Sequence, residues 1–196
     1  QTTHRRHAPP HGLVTRRERL LWIGLLPMNP TTRPARPEDA PAIARVYSQG
    51  IADRVATFET EPRDAAQILT ALAERGDRYP TMVAEREGRV IAAAWASLYR
   101  SRPCYAGIAE FSVYTERTAR GSGAGRAVME ALIAACEERG FWKLVSRVFI
   151  ENAASRALCA RLGFREVGVY RRHAQLDGLW RDVMIVELLI GPARDG

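Results

Sequence analysis

The sequence predicts a single α/β domain in which helices pack on a sheet. Three observations lead to this prediction: the chain has 196 residues, 46% of them are hydrophobic, and segments with strand and helix periodicity are interleaved along it. A chain of this length and composition suits one domain with its own core. Mixed strands and helices in this order are typical of a layered α/β sandwich.

The first predicted elements are a strand at 32–36 and a helix at 37–50. Pro34 places the strand at an edge of the sheet, because proline cannot donate to a hydrogen-bond ladder. Pro37 followed by two acidic residues is a typical helix start. Three apolar residues with i, i+3, i+4 spacing form the stripe that we expect to face the core: Ile43, Val46 and Tyr47.

A second helix is predicted at 63–75, and a β-hairpin follows it. The hairpin strands cover 81–86 and 89–99, and they are joined by the turn Glu87-Gly88. A further strand at about 107–115 ends shortly before a glycine-rich segment.

The third predicted helix covers 123–139 and ends at Gly140, a common residue after a helix C-terminus. Its apolar residues lie on one face, as expected for a helix that covers a sheet. These are Val128, Leu132, Ala135 and Cys136. The remaining predicted elements are a strand at 142–149, a helix at 153–161, and strands at 164–173 and 180–190.

The net charge of +7 is unevenly distributed, because residues 1–27 carry five arginines and one glutamate and so contribute +4. Such a basic segment is compatible with binding to nucleic acid or acidic lipid. It also resembles a targeting segment, but the apolar run 20–26 is too short to span a bilayer and no small-residue cleavage site follows it. We favour an extension outside the core, with the domain at 28–196.

The three cysteines, Cys104, Cys136 and Cys159, are too few and too odd in number for a disulfide framework. No Cys-x-x-Cys or paired-histidine spacing indicates zinc, so we expect no metal. Reduced thiols are typical of the cytoplasm, which is the predicted location.

The most informative segment is the glycine-rich turn between the strand at 107–115 and the next helix. It contains Gly121, Gly123 and Gly125, and no lysine follows as a Walker loop requires. The spacing also departs from the Gly-x-Gly-x-x-Gly of dinucleotide-binding folds. Glycines at a strand-to-helix junction let backbone N–H groups converge on an anion, which favours a pyrophosphate-bearing ligand. A plain helix-capping turn is the alternative.

The pattern Arg120-x-x-Gly123-x-Gly125 resembles the acetyl-coenzyme A loop of the GNAT superfamily of N-acetyltransferases. A second block agrees with it: Asn152 is followed by Ser155 and then by the Leu-Gly-Phe at 162–164. The resemblance implies a mixed, mostly antiparallel central sheet with helices on both faces. It also implies acetyl-CoA as cosubstrate. Asn152 alone would be an ordinary helix N-cap.

Further segments narrow the resemblance to the phosphinothricin and methionine-sulfone N-acetyltransferases, with the arsinothricin-acetylating relatives most similar. These segments are 54–62, 99–105, 110–114, 142–147 and 173–182. The resemblance covers about 32–191. It implies N-acetylation of the α-amine of an oxyanion-bearing amino acid, detoxification of an antibiotic, and a homodimer.

The resemblance implies which residues hold acetyl-CoA. Backbone groups of the strand end at 113–115 would run along the pantetheine arm, and a fixed N–H there would lower the barrier by about 3–4 kcal/mol. The side chain of Asn152 would bond the same arm. The complete predicted set is Val113, Tyr114, Thr115, Arg120, Gly121, Ser122, Gly123, Ala124, Gly125, Arg126, Asn152 and Ser155.

Glu110 is the predicted general base. The amine is largely protonated near neutral pH, so a carboxylate at the head of this strand is suited to accept its proton, directly or through water. From the residues alone, a structural carboxylate paired with an arginine is an equal alternative, and the resemblance favours the base.

No general acid is assigned by the sequence. Many GNAT members carry a tyrosine seven residues after the motif asparagine, and here that position is Cys159. A thiol is able to donate a proton, although Cys159 also suits the core. His173 is a second titratable candidate, and a strand histidine bonded to the backbone is its alternative. Water would serve as well.

Charge should govern substrate recognition, because guanidinium groups match oxyanions in a bidentate way. By resemblance, two segments face the substrate, and single arginines within them are also compatible with solvated surface charges. The predicted substrate-binding residues are Arg54, Phe58, Thr60, Arg100, Arg102, Tyr105 and His173.

Two other functions remain open at this point. A protein or peptide N-terminal acetyltransferase would use the same fold on a larger substrate. A nucleic-acid-binding protein would depend on the basic segment 1–27, but the rest of the chain carries only +3 and no recognition motif, so we expect no nucleic-acid partner. We expect no membrane partner either.

Overall fold

A computed structural model describes residues 29–194 of the chain. The predicted N-terminal extension lies outside the described residues, so the division at residue 28 stays a prediction. No helix within 29–194 has the length and apolar character needed to cross a membrane.

Seven strands and four α-helices make up this part of the chain, in an order close to the predicted one. The strands and helices, in chain order, are β1 (Thr31–Pro34), α1 (Ala40–Ala52), α2 (Ala65–Arg75), β2 (Thr81–Arg86), β3 (Arg89–Leu98), β4 (Ile108–Thr115), α3 (Ala124–Glu138), β5 (Lys143–Phe149), α4 (Ala153–Arg161), β6 (Arg165–Leu176) and β7 (Leu179–Leu189).

The strands form one sheet in the order β1-β2-β3-β4-β5-β7-β6. Every neighbouring pair is antiparallel except β4 and β5, which are parallel. This confirms the mixed, mostly antiparallel sheet, and β1 lies at an edge as Pro34 predicts. The predicted first helix is divided: a 3-10 turn at Pro37–Asp39 precedes α1.

Helices cover both faces of the sheet, as predicted. On one face α1 and α2 bury Ile43, Val46 and Ile68 against β2, β3 and β4. On the other face α3 buries the predicted stripe that includes Val128 and Leu132. The predicted stop of α3 is confirmed, because Gly140 follows it with φ +75°.

The parallel contact between β4 and β5 is short, and this feature creates the site. It runs only from Ile108 to Glu110, opposite Lys143 to Val145. In contrast, β4 pairs with β3 as far as Thr115. The two strands therefore diverge after Glu110, and one edge of β4 has no strand partner among residues 29–194 beyond that point.

Candidate active site

A cleft of about 1160 Å³ opens where β4 and β5 diverge. The glycine-rich turn and α4 line one end of it, and the loop between α1 and α2 lines the other. The predicted base Glu110 and the predicted cofactor residue Asn152 both line this cleft. The predicted base and a predicted cofactor-binding residue, which are distant in sequence, therefore lie in the same cavity.

The free edge of β4 presents backbone groups to the cleft. The Glu116 N–H donates to the Ile91 carbonyl oxygen at 2.8 Å, so Glu116 is bonded to β3. Bonding alternates along an antiparallel pair, so Tyr114 and Ser112 also direct their backbone groups toward β3. The N–H and C=O groups of Phe111, Val113 and Thr115 consequently face the gap, as an added strand would require.

Tyr114 differs from its neighbours at 113 and 115. Its backbone is turned to β3, and its side chain is buried between Tyr47 and Trp95, with ring centroids 4.5 and 5.4 Å away. Tyr114 still borders the cleft, but the backbone edge that faces it belongs to Val113 and Thr115.

The glycine-rich turn has the geometry of an anion site at a helix N-terminus. Gly121 and Gly123 have φ of +75° and +88°, which favours glycine. The Ala127 N–H bonds the Gly123 carbonyl at 3.0 Å, so the N–H groups of the three residues at 124–126 precede the helical ladder. A Cβ on Gly125 would lie 2.9 Å from the Thr115 hydroxyl, so only glycine leaves this surface open.

Three arginines line the cofactor end of the cleft: Arg120, Arg126 and Arg161. Arg120 bonds Asp53, which also accepts from Arg117 at 2.8 Å. Arg126 pairs with Glu130 at 2.8 Å. Arg161 was missed by the sequence analysis, although its place at the end of α4, one helix after Asn152, was a usable signal. Together these residues fit a polyanion with several phosphate groups.

Two predicted cofactor residues face away from the cleft. Ser122 donates its hydroxyl to the Ala119 carbonyl oxygen at 2.6 Å, and Ala124, the first residue of α3, is fully buried in the core. Neither side chain lines the cavity, although both residues shape the turn.

Asn152 connects the two ends of the cleft. Its Oδ1 accepts from the Ser155 N–H at 3.0 Å, which confirms the predicted N-cap, and its Nδ2 donates to the Val55 carbonyl at 2.9 Å. Val55 belongs to the loop between α1 and α2, so this amide ties that loop to the cofactor side. A pantetheine arm would meet an Asn152 that already has these partners.

Glu110 pairs with an arginine that the sequence analysis missed. Arg147 on β5 donates from Nε to Oε1 at 3.1 Å and from Nη2 to Oε2 at 2.5 Å. The hydrogen bonds that Arg147 donates to the Glu110 carboxylate raise the pKa of Arg147 above its ordinary value. Arg147 lies in the run 142–147 that carries part of the resemblance, but the partners are 37 positions apart in the sequence, so no local pattern indicates the pair.

A second carboxylate in the cleft is Glu59. Burial raises its pKa, but hydrogen bonds from Arg63, at 2.7 Å, and from Tyr47 outweigh burial and leave it lowered. Burial, followed by the contact with Glu59, raises the pKa of Tyr47 to about 12. Glu59 is thus ionised and committed to two donors.

His173 reaches the cleft through an irregularity in β6. The register with β7 shifts between Tyr170 and Ala174, and Arg172 has φ +48°. The Arg172 N–H donates to Asp182 Oδ1 at 2.7 Å, which fixes the bulge. His173 then lies 6.2 Å from the ring of Phe58, so both predicted residues line the cavity.

The other predicted substrate residues lie outside this cleft. Arg54 pairs with Asp177 at 3.1 Å and donates to the Thr60 carbonyl oxygen at 3.1 Å. Arg54 and Thr60 both belong to the loop between α1 and α2, and neither lines the cleft. Arg100, Arg102 and Tyr105 line a separate depression of about 370 Å³. The Arg100 guanidinium lies 5.3 Å from the Tyr99 ring centroid and 6.0 Å from that of Tyr105.

Cys159 lies in the core and does not line the cleft. Burial raises its pKa to about 11, so the thiol stays protonated near neutral pH. This placement favours the structural interpretation of Cys159. Among residues 29–194, no cluster of His, Cys, Asp and Glu side chains is arranged to hold a metal ion.

Comparisons with known proteins agree with this geometry. The model of the Acetyltransferase (GNAT) family matches residues 44–164. A phosphinothricin N-acetyltransferase from Alcaligenes faecalis is 35% identical over 159 residues, which is 80% of this chain and 81% of the relative.

Two solved structures share the fold. A GNAT superfamily phosphinothricin acetyltransferase from Sinorhizobium meliloti, in complex with AcCoA, has a TM-score of 0.80 and 30% identity, covering 86% of this chain and 92% of that one. A ribosomal-protein-alanine N-acetyltransferase from Brucella melitensis has a TM-score of 0.79 and 31% identity, covering 82% and 99%. The chain therefore belongs to the GNAT family, in the branch of the phosphinothricin N-acetyltransferases, and is an acetyl-CoA-dependent N-acetyltransferase.

Proposed function

We propose that the enzyme acetylates the α-amine of an oxyanion-bearing amino acid, arsinothricin or phosphinothricin, and so detoxifies an antibiotic. The observation that carries this proposal is the adjacent carboxylate and guanidinium of Glu110 and Arg147 in the cleft. A substrate with an ammonium and an oxyanion presents the complementary charges to this pair. The relative from Alcaligenes faecalis, a phosphinothricin N-acetyltransferase, supports the same substrate class.

The shape of the substrate end favours a free amino acid over a peptide. Phe58 packs on Phe149 with ring centroids 4.7 Å apart, and Asn152 holds the loop at Val55. We infer that the loop, held in this way, limits the room beside Glu110 and so favours a compact amine over a peptide chain.

We assign Glu110 the role of general base. Its carboxylate lines the cleft at the point where β4 and β5 diverge, beside the backbone edge formed by Val113 and Thr115. The ammonium loses a proton to a Glu110 oxygen, directly or through one water, and the neutral amine becomes the nucleophile. The N–H groups of this edge would hold the acetyl carbonyl oxygen.

Acetyl-CoA supplies the activated acetyl group, and the cofactor end of the cleft fits it. The N–H groups at 124–126 and the arginines Arg120, Arg126 and Arg161 would hold its phosphates. Asn152 and Ser155 would contact the pantetheine arm. His173 would bind the substrate, whereas Cys159, which is buried outside the cleft, would not contact it.

The test is product mass spectrometry with acetyl-CoA and four acceptors: arsinothricin, phosphinothricin, methionine sulfone and a short peptide with a free N-terminus. The proposal expects acetylated products with the first two at the highest kcat/KM. Their ratio gives the preference between arsenic and phosphorus.

The likeness to a ribosomal-protein-alanine N-acetyltransferase favours peptide acetylation as the second candidate. Acetylation of the peptide with no reaction of the free amino acids would overturn the first proposal and support this one.

Two further properties belong to the proposal. We propose a homodimer, supported by exposed apolar side chains on the outer strands β6 and β7, which are Val167, Val169, Tyr170, Leu179 and Trp180. A monomeric mass in light scattering at micromolar concentration would contradict it. We also propose a cytoplasmic location, because the three free thiols suit a reducing compartment.

A further inference from the structure

The ion pair between Glu110 and Arg147 is open to exchange. The Glu110 side chain is 23% exposed and that of Arg147 is 46% exposed, and both line the cleft. The guanidinium uses Nε and Nη2 for Glu110, and its Nη1 has no hydrogen-bond partner among residues 29–194. An arginine with free donors in a cavity is able to accept a second anion without moving far.

The surroundings of Arg147 fix its position while leaving the guanidinium accessible. Arg147 and Phe149 alternate with core residues along β5, so both face the substrate side of the sheet. The pKa of Arg147 is raised mainly by its hydrogen bonds to Glu110, and Tyr99 and Tyr170 make smaller contributions in the same direction. The ring of Tyr170 in turn lies 5.4 Å from His173. Among the described residues, Glu110 is the only carboxylate partner of this guanidinium.

We propose that the substrate exchanges partners with this pair. The oxyanion of the substrate side chain takes Arg147, and this releases the Glu110 oxygens toward the substrate ammonium. One internal ion pair is replaced by two intermolecular pairs. An N–H bond of the ammonium then breaks and an O–H bond forms on Glu110. Arg147 thereby determines specificity, and the inference rests on the proposed function above.

The exchange separates substrates that a simple binding pocket would not. An amino acid with a neutral side group can still enter the cleft, but it leaves Glu110 bonded to Arg147. Acetylation of such an amino acid should therefore show a lower kcat rather than a higher KM, because Glu110 stays bonded to the guanidinium donors of Arg147. If Arg147 instead held the α-carboxylate, which every amino acid has, no such difference would arise.

The experiment compares phosphinothricin with methionine sulfone, whose side chain is uncharged, in wild-type enzyme and in Arg147→Gln. Glutamine keeps some hydrogen bonding but removes the charge. We expect the ratio of kcat/KM for phosphinothricin over methionine sulfone to fall by about 10- to 100-fold, as for loss of a charge-assisted hydrogen bond. The kcat for methionine sulfone should stay constant or rise, because Glu110 is released.

Arg165→Gln is the matched control, since Arg165 forms another arginine–glutamate pair, with Glu187, outside the cleft. It should leave the ratio unchanged, and both variants should bind acetyl-CoA with unaltered Kd. An equal fall for both substrates in Arg147→Gln, or no fall, would overturn the exchange while leaving the proposed function intact. Wild-type enzyme that acetylates neither amino acid would overturn both.

Discussion

Two arginine–carboxylate pairs in this protein have the same chemistry and different surroundings. Arg33 and Asp39 join β1 to the turn before α1, and the Asp39 side chain is 7% exposed. Arg147 and Glu110 join β5 to β4 at the cleft, where the sheet divides. The first pair lies where β1 is fully paired with β2, and the second lies where the strands diverge.

The difference lies in how completely each carboxylate is satisfied. Asp39 accepts from Arg33 Nη1 at 2.6 Å, from Nη2 at 2.9 Å and from the Arg36 N–H at 2.7 Å. Arg33 is also bonded to Glu85 at 3.1 Å. Within residues 29–194, Glu110 has Arg147 as its one side-chain partner, and the Arg147 guanidinium retains donors without a partner. A saturated pair stabilises the fold, whereas an unsaturated pair beside a cavity can change partners.

The largest predicted effect is on catalysis. Glu110→Gln removes the proton acceptor while keeping shape, so kcat should fall by about 10²- to 10⁴-fold, the usual contribution of a general base. The Kd for acetyl-CoA and the melting temperature should stay close to wild type. Steady-state kinetics, calorimetric titration and thermal unfolding measure these. Wild-type kcat in this variant would show that Glu110 is a structural carboxylate like Asp39.

Asp39→Asn should have the opposite effect to Glu110→Gln, because it should lower stability and leave catalysis unchanged. The free energy of unfolding should fall by about 2–3 kcal/mol, below the value for breaking a fully buried pair because Arg33 keeps Glu85. For a domain of this size the melting temperature should drop by about 5–10 °C. The kcat should stay constant, since Asp39 does not line the cleft. Urea unfolding together with kinetics checks both. A stable but inactive variant would contradict the comparison.

Acid should remove the contribution of Asp39. Hydrogen bonds from Arg33 hold the pKa of Asp39 below its ordinary value, so its stabilisation is present above the unfolded pKa of about 4 and is lost as pH falls through the folded pKa. The stability difference between wild type and Asp39→Asn should therefore be constant from about pH 7 to 5 and shrink below about pH 4. Urea unfolding at several pH values measures it. A difference that grows with acid would show the opposite linkage.

The elements of both regions could be predicted from sequence, because local signals specify them. Pro34 predicts the edge strand, Gly140 predicts the end of α3, and apolar periodicity predicts the buried faces. The glycine-rich turn predicted an anion site, and the structure gives it a helix N-terminus with free N–H groups. Each of these signals depends only on residues that are close together in the sequence.

The partner of each carboxylate depends on pairing between distant segments. Glu110 meets Arg147 because β4 and β5 are parallel for only three residues, a register that no local pattern encodes. The bulge that brings His173 to the cleft depends on Asp182, ten residues away on β7. Arg100 and Arg102 were predicted to read the oxyanion, yet they lie in another depression. The sequence shows that many arginines are present, but the strand topology determines that Arg147 lies beside Glu110 in the cleft.

The smallest predicted effect concerns a third pair, Arg54 with Asp177, whose side chains are 36% and 53% exposed. Solvent screens such a pair, so Asp177→Asn should change the free energy of unfolding by less than about 1 kcal/mol. Asparagine also tolerates the φ of +49° at this position. Urea unfolding beside Asp39→Asn, at low and high salt, measures the contrast. A loss of unfolding free energy as large as that of Asp39→Asn would mean that solvent exposure does not determine how much each ion pair stabilises the fold. A small loss would leave saturation and burial as the properties that distinguish a structural pair from an exchangeable one.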